Sequence, residues 1–276
     1  MNRRTRLFLS NLSNRQFKSS LSFLVPNWIF KQIFNSHFAV SSKLKRNKNH
    51  WLIEDQANGF SLDLRYPRDA IRYSKIDIRS KWLDIRDRYS LPDFVEVTSG
   101  DVVVDVGGYI GEFALSVARD AGEIHIFEPD AISFGTLKKN VQAYSVDSDI
   151  YCHNLLIWGE ATEIKFNAAD DGSESSVLKP DVAGVIRTSV MSAIPLDEAI
   201  NFDVDFLKID AEGSELKIIE GLGDLRPRKI AIDCTEVDAN GDLPDTEVEE
   251  AIRSLGYVTK SVESEYGPMV FGKLRN

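Results

Sequence analysis

Cysteine is nearly absent from this chain, whose 276 residues contain only Cys152 and Cys234, far apart and outside any CxxC pair. That scarcity excludes a disulfide framework and a cysteine-based zinc site, and it implies two thiols in a reducing compartment. Histidine is scarce too, with four residues and no pair at transition-metal spacing, so no metal is expected. Long apolar runs are missing. The longest uncharged stretch near the N-terminus, Ser19 to Phe30, has 12 residues and contains Pro26, short of the roughly 20 that span a bilayer. No apolar segment follows the Arg-rich start and no small-residue cleavage site is evident, which argues against a cleaved signal peptide. These absences describe a cytoplasmic protein.

Acid is missing from one region only. Residues 1–50 hold Arg3, Arg4, Arg6, Arg15, Lys18, Lys31, Lys43, Lys45, Arg46 and Lys48, with no Asp or Glu. The other residues therefore carry 23 bases against 43 acids, a net of −20 within an overall −10. Such a body repels phosphate, so nucleic acid is not expected as a partner. The basic arm interleaves its charges with Phe8, Phe17, Phe23, Trp28, Phe30, Phe34 and Phe38. Two readings stay open for it. It lies on an anionic membrane surface, or it forms a helical cap on the domain or on a second subunit of a homo-oligomer.

What is present after the arm is regular. WLIEDQANGFSLDLRY (51–66) alternates around Asn58-Gly59, a hairpin signal. SKIDIRSKWLDIRDRY (74–89) reads as a helix with Ile76, Trp82, Leu83 and Ile85 as its apolar residues, ended by Leu91-Pro92. From Gly100 strands and helices alternate. VVVDV (102–106) is a β-branched run expected of a strand buried on both faces. A helix over 110–119, the strand EIHIF (123–127), a helix over 131–143 and a strand over 150–157 follow. Irregular sequence, including ADDGSESS (169–176), leads to SVMSAIPLDEAI (189–200) and the strand DFLKI (205–209). A helix from Ser214, the strand KIAIDC (229–234), a helix over 247–255 and two closing strands complete the chain. This order implies an α/β, doubly wound, mostly parallel sheet with an antiparallel edge and a basic N-terminal extension. The expected divisions are 1–50 for the arm, 51–99 for hairpin and helix, and 100–276 for the main domain.

In such folds ligands bind beyond the carboxyl ends of the strands, where strand order reverses. DVGGYIG, Asp105 to Gly111, is the first candidate, since glycines at a strand-to-helix turn let the backbone approach a ligand. Its spacing is D-x-G-x-x-x-G and not the G-x-G-x-x-G of dinucleotide sites. The carboxylate of Asp105 favours a positively charged cofactor over a pyrophosphate. S-adenosylmethionine, with an ammonium and a sulfonium, suits that requirement. Glu128, in HIFEPD at the end of the next strand, is placed to accept the hydroxyls of an adenosine ribose.

VVVDVGGYIGEFAL, IFEPD and DFLKIDAEGSELKIIEGL together resemble the FkbM family of S-adenosylmethionine-dependent methyltransferases. The likeness spans about 95–260, outside the basic arm, and K-I-D-x-E-G-x-E is its most distinctive part. It implies a seven-stranded, Rossmann-like methyltransferase sheet and O-methylation of a hydroxyl on a sugar, a glycan or glycolipid, or a small natural product. Two positions depart from the family. Gly107-Gly108-Tyr109 stands where Gly-Ala-Asn is common, so Tyr109 holds the methionine end of the cofactor differently. The strand near 230 commonly ends in Glu, and here it reads Asp233 with Glu236 nearby.

The expected cofactor contacts are therefore Asp105, Gly107, Gly108, Tyr109, Gly111, Glu128, Pro129 and Asn154. Asn154 and His153 lie near the end of the third strand, where adenine is expected; His153 reads equally as a packing residue. Asp210 faces the reactive methyl, and with Glu212 it is a candidate base for a hydroxyl, a weak nucleophile whose proton must go somewhere. Glu215 is a third candidate, though its place in the first turn of a helix suits capping as well. A non-catalytic S-adenosyl-ligand or nucleotide-binding module recruited through the arm is the competing class.

Overall fold

The computed structural model describes residues 27–37, 42–47, 50–56, 59–65, 67–73, 76–144, 148–169, 177, 185–235, 243–264 and 266–275. Residues 1–26, Asn58, Glu236 and the ADDGSESS stretch beyond Ala169 lie outside the described residues.

Seven strands form the central sheet. They are β4 (Val102–Val106), β5 (Glu123–Phe127), β6 (Asp149–His153), β10 (Phe206–Ile209), β11 (Lys229–Asp233), β12 (Tyr257–Ser264) and β13 (Gly267–Leu274). Their order is β12-β13-β11-β10-β4-β5-β6, with β13 antiparallel to both neighbours and the other pairings parallel. Chain order runs outward from β4 through β5 to β6, then returns to β10 on the other side of β4. The carboxyl ends of β4 and β10 therefore flank the switch point, and the pairing sets Lys208 opposite Asp105.

Strand periodicity divides the core into two layers. Val104, Val106, Leu207, Ile209, Ile230 and Ile232 face one side and pack with Leu196, Ile218, Ile219, Val248 and Ile252. Those partners come from α5 (Leu196–Ala199), α6 (Glu215–Glu220) and α7 (Asp245–Ser254). Val103, Ile124, Ile126, Phe206 and Ala231 face the opposite side, against Tyr89, Phe113, Ala114 and Leu137. Here the cover is α2 (Ile78–Arg88), α3 (Glu112–Val117) and α4 (Ala131–Ala143). Caps fix where two of these helices begin. Asp77 accepts from Ser80 N at the start of α2, and Asp130 accepts from Ile132 N and Ser133 N at the start of α4.

Part of the basic arm has structure of its own. α1 (Asn27–His37) and β1 (Ser42–Asn47) join the hairpin of β2 (His50–Asp55) and β3 (Ser61–Leu64) in a sheet of order β1-β2-β3. Phe30, Phe34, Leu44, Ile53 and Leu62 form a third core with Tyr73, Trp82, Ile110 and Leu115. Tyr73 belongs to a 3-10 turn, Pro67–Tyr73. No helix among the described residues is long and apolar enough to cross a membrane.

Several expected elements shift. The helix after the glycine turn is shorter than 110–119, because Tyr109 and Gly111 take left-handed conformations that cannot extend a helix. The α2 stripe is Ile78, Trp82, Ile85 and Tyr89; Leu83 is half exposed and Ile76 precedes the helix. The expected third strand is broken into β6 and β7 (Leu156–Ile157), with Asn154 between them. The irregular region contains β8 (Thr162–Ala169) and β9 (Val185–Ile194), antiparallel partners in a small sheet of order β7-β9-β8.

Candidate active site

Backbone crowding at the switch point requires the glycines of DVGGYIG. A Cβ on Gly107 would sit 1.8 Å from the Asp210 carbonyl oxygen, and one on Gly108 would sit 2.1 Å from Ile126 Cγ2. The turn is also closed on itself. Gly107 N and Gly108 N donate to Phe127 O, Gly111 N donates to Gly108 O, and Tyr109 N donates to Glu128 Oε2 at 2.8 Å. Four of its N–H groups are thus engaged internally and do not form a nest for a pyrophosphate.

Asp105 lies beneath this turn. It has no exposed surface, and Lys208 Nζ lies 3.0 Å from its Oδ1. The same ammonium donates to Gly107 O at 2.8 Å and lies 3.6 Å from Asp210 Oδ2. Burial pushes the Asp105 carboxyl up, opposed by Lys208. Burial also works to lower Lys208, but Asp105 and Asp210 outweigh it and hold the ammonium charged above its ordinary range. Asp105 therefore shapes the turn through Lys208.

Asp210 is the open end of this chain of charges, with 27% of its side chain exposed. Tyr89 donates its hydroxyl to Asp210 Oδ2 at 2.6 Å and lies 3.3 Å from Asp233 Oδ2. Arg88 pairs with Asp233, whose other oxygen accepts from Thr235 N. The two carboxylates are driven apart in acidity. Burial opposes ionisation of Asp210, yet Lys208, Arg88 and the Tyr89 hydrogen bond together hold it below the usual range. Asp233 is raised by burial and by the charge of Asp210. Burial and both acids push the Tyr89 phenol far up, so it stays a hydrogen-bond donor. The result is one ionised carboxylate facing outward, fixed by a phenol and two cations.

Glu215 and Glu212 separate from Asp210 in role. Glu215 is buried and its Oε1 accepts from Ala211 N at 3.1 Å and Gly213 N at 3.2 Å. These bonds tie it to the Asp210–Gly213 turn, and Ser214 at the helix start makes no side-chain cap bond. Glu212 is partly exposed, left-handed at φ 51°, and near enough to Arg88 for its charge to act there.

On the other side of the turn Glu128 is buried, its Oε1 accepting from Asp130 N and its Oε2 from Tyr109 N, both at 2.8 Å. Burial raises its carboxyl to about 8. Tyr109 also departs from the usual backbone at φ 49°, and its ring lies under Arg72 at 5.4 Å. Asn154 was expected at a ligand, but its Nδ2 donates to Glu128 O at 2.8 Å and Pro129 O at 3.0 Å, bracing that loop. His153 stacks on Phe127 with centroids 4.6 Å apart, and its Nε2 lies 3.0 Å from His125 Nδ1. Burial and His125 lower its pKa, which suits a neutral packing ring. Among the described residues no group of three or more His, Cys, Asp or Glu could hold a metal ion.

Tyr89, Arg88 and Arg72 carry no motif of their own in the sequence. Only the fold carries α2 and the 3-10 turn over the carboxyl ends of the strands, so no local pattern marks them. Arg72 donates to Glu112 Oε2 at 2.6 Å, and Tyr73 donates to Glu112 Oε1. Lys208 lies within K-I-D-x-E-G-x-E, and its buried bridge between Asp105 and Asp210 comes from the pairing of β10 with β4.

Residues 105–259 match the family described as the methyltransferase FkbM domain. The chain is 27% identical over 222 residues to 31-O-demethyl-FK506 methyltransferase FkbM of Streptomyces tacrolimicus, a match covering 67% of this chain and 82% of that protein. Among solved structures it resembles methyltransferase FkbM from Methylobacillus flagellatus KT, with a TM-score of 0.50 and 17% identity. That match covers 70% of this chain and 50% of the other, so this chain spans half the length of that relative.

Proposed function

The chain belongs to the FkbM methyltransferase family, and from that premise we propose that it methylates a hydroxyl of a sugar, glycan, glycolipid or small natural product, with Asp210 receiving the proton. Its methyl donor is S-adenosylmethionine, the cofactor of that family. When bound, this group supplies an electrophilic methyl on a sulfonium, which departs as a neutral thioether.

The residues present fit it. In its ionised form Glu128 keeps a lone pair on each oxygen beyond the two N–H bonds it accepts, enough for two ribose hydroxyls. Tyr109, Gly107 and Gly108 shape the adjoining turn, and the engagement of four turn N–H groups suits a ligand without phosphate.

The observation that carries the reading is the Asp105–Lys208–Asp210–Tyr89 chain, which ends in an ionised carboxylate at the switch point. A carboxylate with a depressed pKa is a weak base toward a free alcohol. As the new O–CH₃ bond forms, the acceptor oxygen gains positive charge and its proton becomes far more acidic than any carboxylic acid. Asp210 then receives that proton without needing a raised pKa. Tyr89 and Lys208 hold the carboxylate so that one oxygen is free to orient the hydroxyl.

Asp210→Asn tests this. Titration with S-adenosylhomocysteine should show binding within about threefold of wild type, while methyl transfer to a hydroxyl acceptor falls by about 10²-fold or more. Unchanged turnover in the variant would remove Asp210 from the reaction. Loss of binding to both S-adenosyl ligands by wild type would remove the methyltransferase reading itself.

A further inference from the structure

Three cations border the outer side of this site, and they are not equivalent. Arg72 is bonded to Glu112 and Arg88 to Asp233. Lys81 has no ion pair among the described residues. It lies two helical turns before Arg88 on α2, so both project from the same side of that helix. Their charges converge on one ring: Lys81 Nζ is 5.7 Å from the centroid of Tyr266, and the Arg88 guanidinium is 4.7 Å from it. Arg72 is close enough to act on both Lys81 and Asp210.

Lys81 is in an unfavourable place for an ammonium. It is partly buried, and burial is the largest influence lowering its pKa, followed by the charge of Arg72; Glu112 and Asp84 only partly offset them. The face of Tyr266 compensates by an amount typical of a cation over a ring, about 0.5–1 kcal/mol at a partly exposed position. Positive charge here also opposes the reaction. It repels the sulfonium and disfavours the positive charge that develops on the acceptor oxygen. Those costs are relieved if an anion sits against the cations when the acceptor is bound. Solvent can hydrate an isolated surface lysine, but it does not explain an ammonium that shares a ring with Arg88, which in turn lies over the Tyr89 that bonds Asp210.

We propose that the acceptor carries an oxyanion, a carboxylate or a phosphate, bound by Lys81 between Arg72 and Arg88 while Asp210 orients the hydroxyl to be methylated. This rests on the methyl-transfer reading and adds the class of acceptor to it. Arg72 and Arg88 keep their carboxylate partners and supply field, whereas Lys81 supplies a free charged donor. A neutral sugar offers that donor hydroxyl acceptors but no counter-charge.

The test uses the full chain saturated with S-adenosylhomocysteine and three probes: methyl glucuronide, glucose 6-phosphate and methyl glucoside. Calorimetric titration should give at least tenfold tighter binding for one or both anionic probes than for the glucoside. Which anionic probe binds separates carboxylate from phosphate. Lys81→Ala should abolish the preference, and Lys81→Arg should retain most of it, which guards against a general defect of folding. The proposal is overturned if no probe binds, if anionic and neutral probes bind alike, or if Lys81→Ala keeps the preference. Failure of S-adenosylhomocysteine to bind would instead strike the methyltransferase reading; the same titrations on the ligand-free chain would still decide the role of Lys81.

Discussion

A carboxylate that accepts two backbone N–H groups would ordinarily ionise with ease, yet Glu215 is raised to about 8 because burial outweighs those bonds. The linkage follows from that direction. An unfolded Glu215 releases its proton near 4.5, while the folded one keeps it to about 8. Between those values the folded state binds more protons, so its stability falls as pH rises and levels off above 8. Glu215→Gln keeps an acceptor for both N–H groups and removes the titration. The variant should gain stability relative to wild type from pH 5 to 8.5, by roughly 1–3 kcal/mol at the upper end. Thermal melts across that range check it, and a difference independent of pH would show that Glu215 does not titrate there. Asp210, Glu212 and Glu215 were visible in the sequence because they lie within one short segment after a buried strand. Their different fates were not visible, since Glu215 turns back on the loop while Asp210 is held by Tyr89, 121 positions away.

Among the elements, β4 and β10 are paired strands whose following turns also meet at one close contact. Gly107 is left-handed at φ 80° and packs against the backbone oxygen of Asp210, so the turn after β4 and the turn after β10 share one space. Gly107→Ala adds both a strained conformation and a clash with backbone that cannot swing aside. It should lower stability by about 2 kcal/mol or more and weaken S-adenosylhomocysteine binding together with turnover, measured by denaturant unfolding and titration. A variant of full stability and affinity would show that the two turns are not coupled. β4, β5 and α4 could be read at their observed limits, because VVVDV and EIHIF are apolar runs between turn signals and Asp130 caps the helix. β1 could not. Ser42 and Leu44 alone of SKLKRN are buried, and an edge strand that is otherwise charged resembles a solvated arm. β8 and β9 were equally hidden. They pack on a small core around Leu156, Phe166, Ala168 and Ala193, too few apolar positions to impose a clear alternation on the sequence.

At the scale of the whole molecule the basic N-terminal region supports the site from behind. Phe34 on α1 has no exposed surface and shares its core with Tyr73, Ile110 and Leu115. Ile110 lies in the glycine turn, and Tyr73 holds Glu112, which pairs with Arg72 beside Tyr109. A loss of packing around α1 therefore reaches the cofactor end through residues that touch no ligand themselves. Phe34→Ala leaves a cavity where a ring was fully enclosed and should cost about 3 kcal/mol, a drop of roughly 6–12 °C in melting temperature for a domain of this size. Two readouts separate a local cavity from coupling across the molecule. If the third core positions the turn, S-adenosylhomocysteine affinity falls well below the melting transition, while Leu44→Ala on β1 produces the same pair of changes on a smaller scale. If Phe34→Ala lowers the melting temperature but leaves affinity at 20 °C untouched, the N-terminal sheet stabilises the fold without setting the geometry of the site. The structure favours the first outcome, because the chain from Phe34 to the turn passes only through buried side chains and the bonded Glu112 carboxylate.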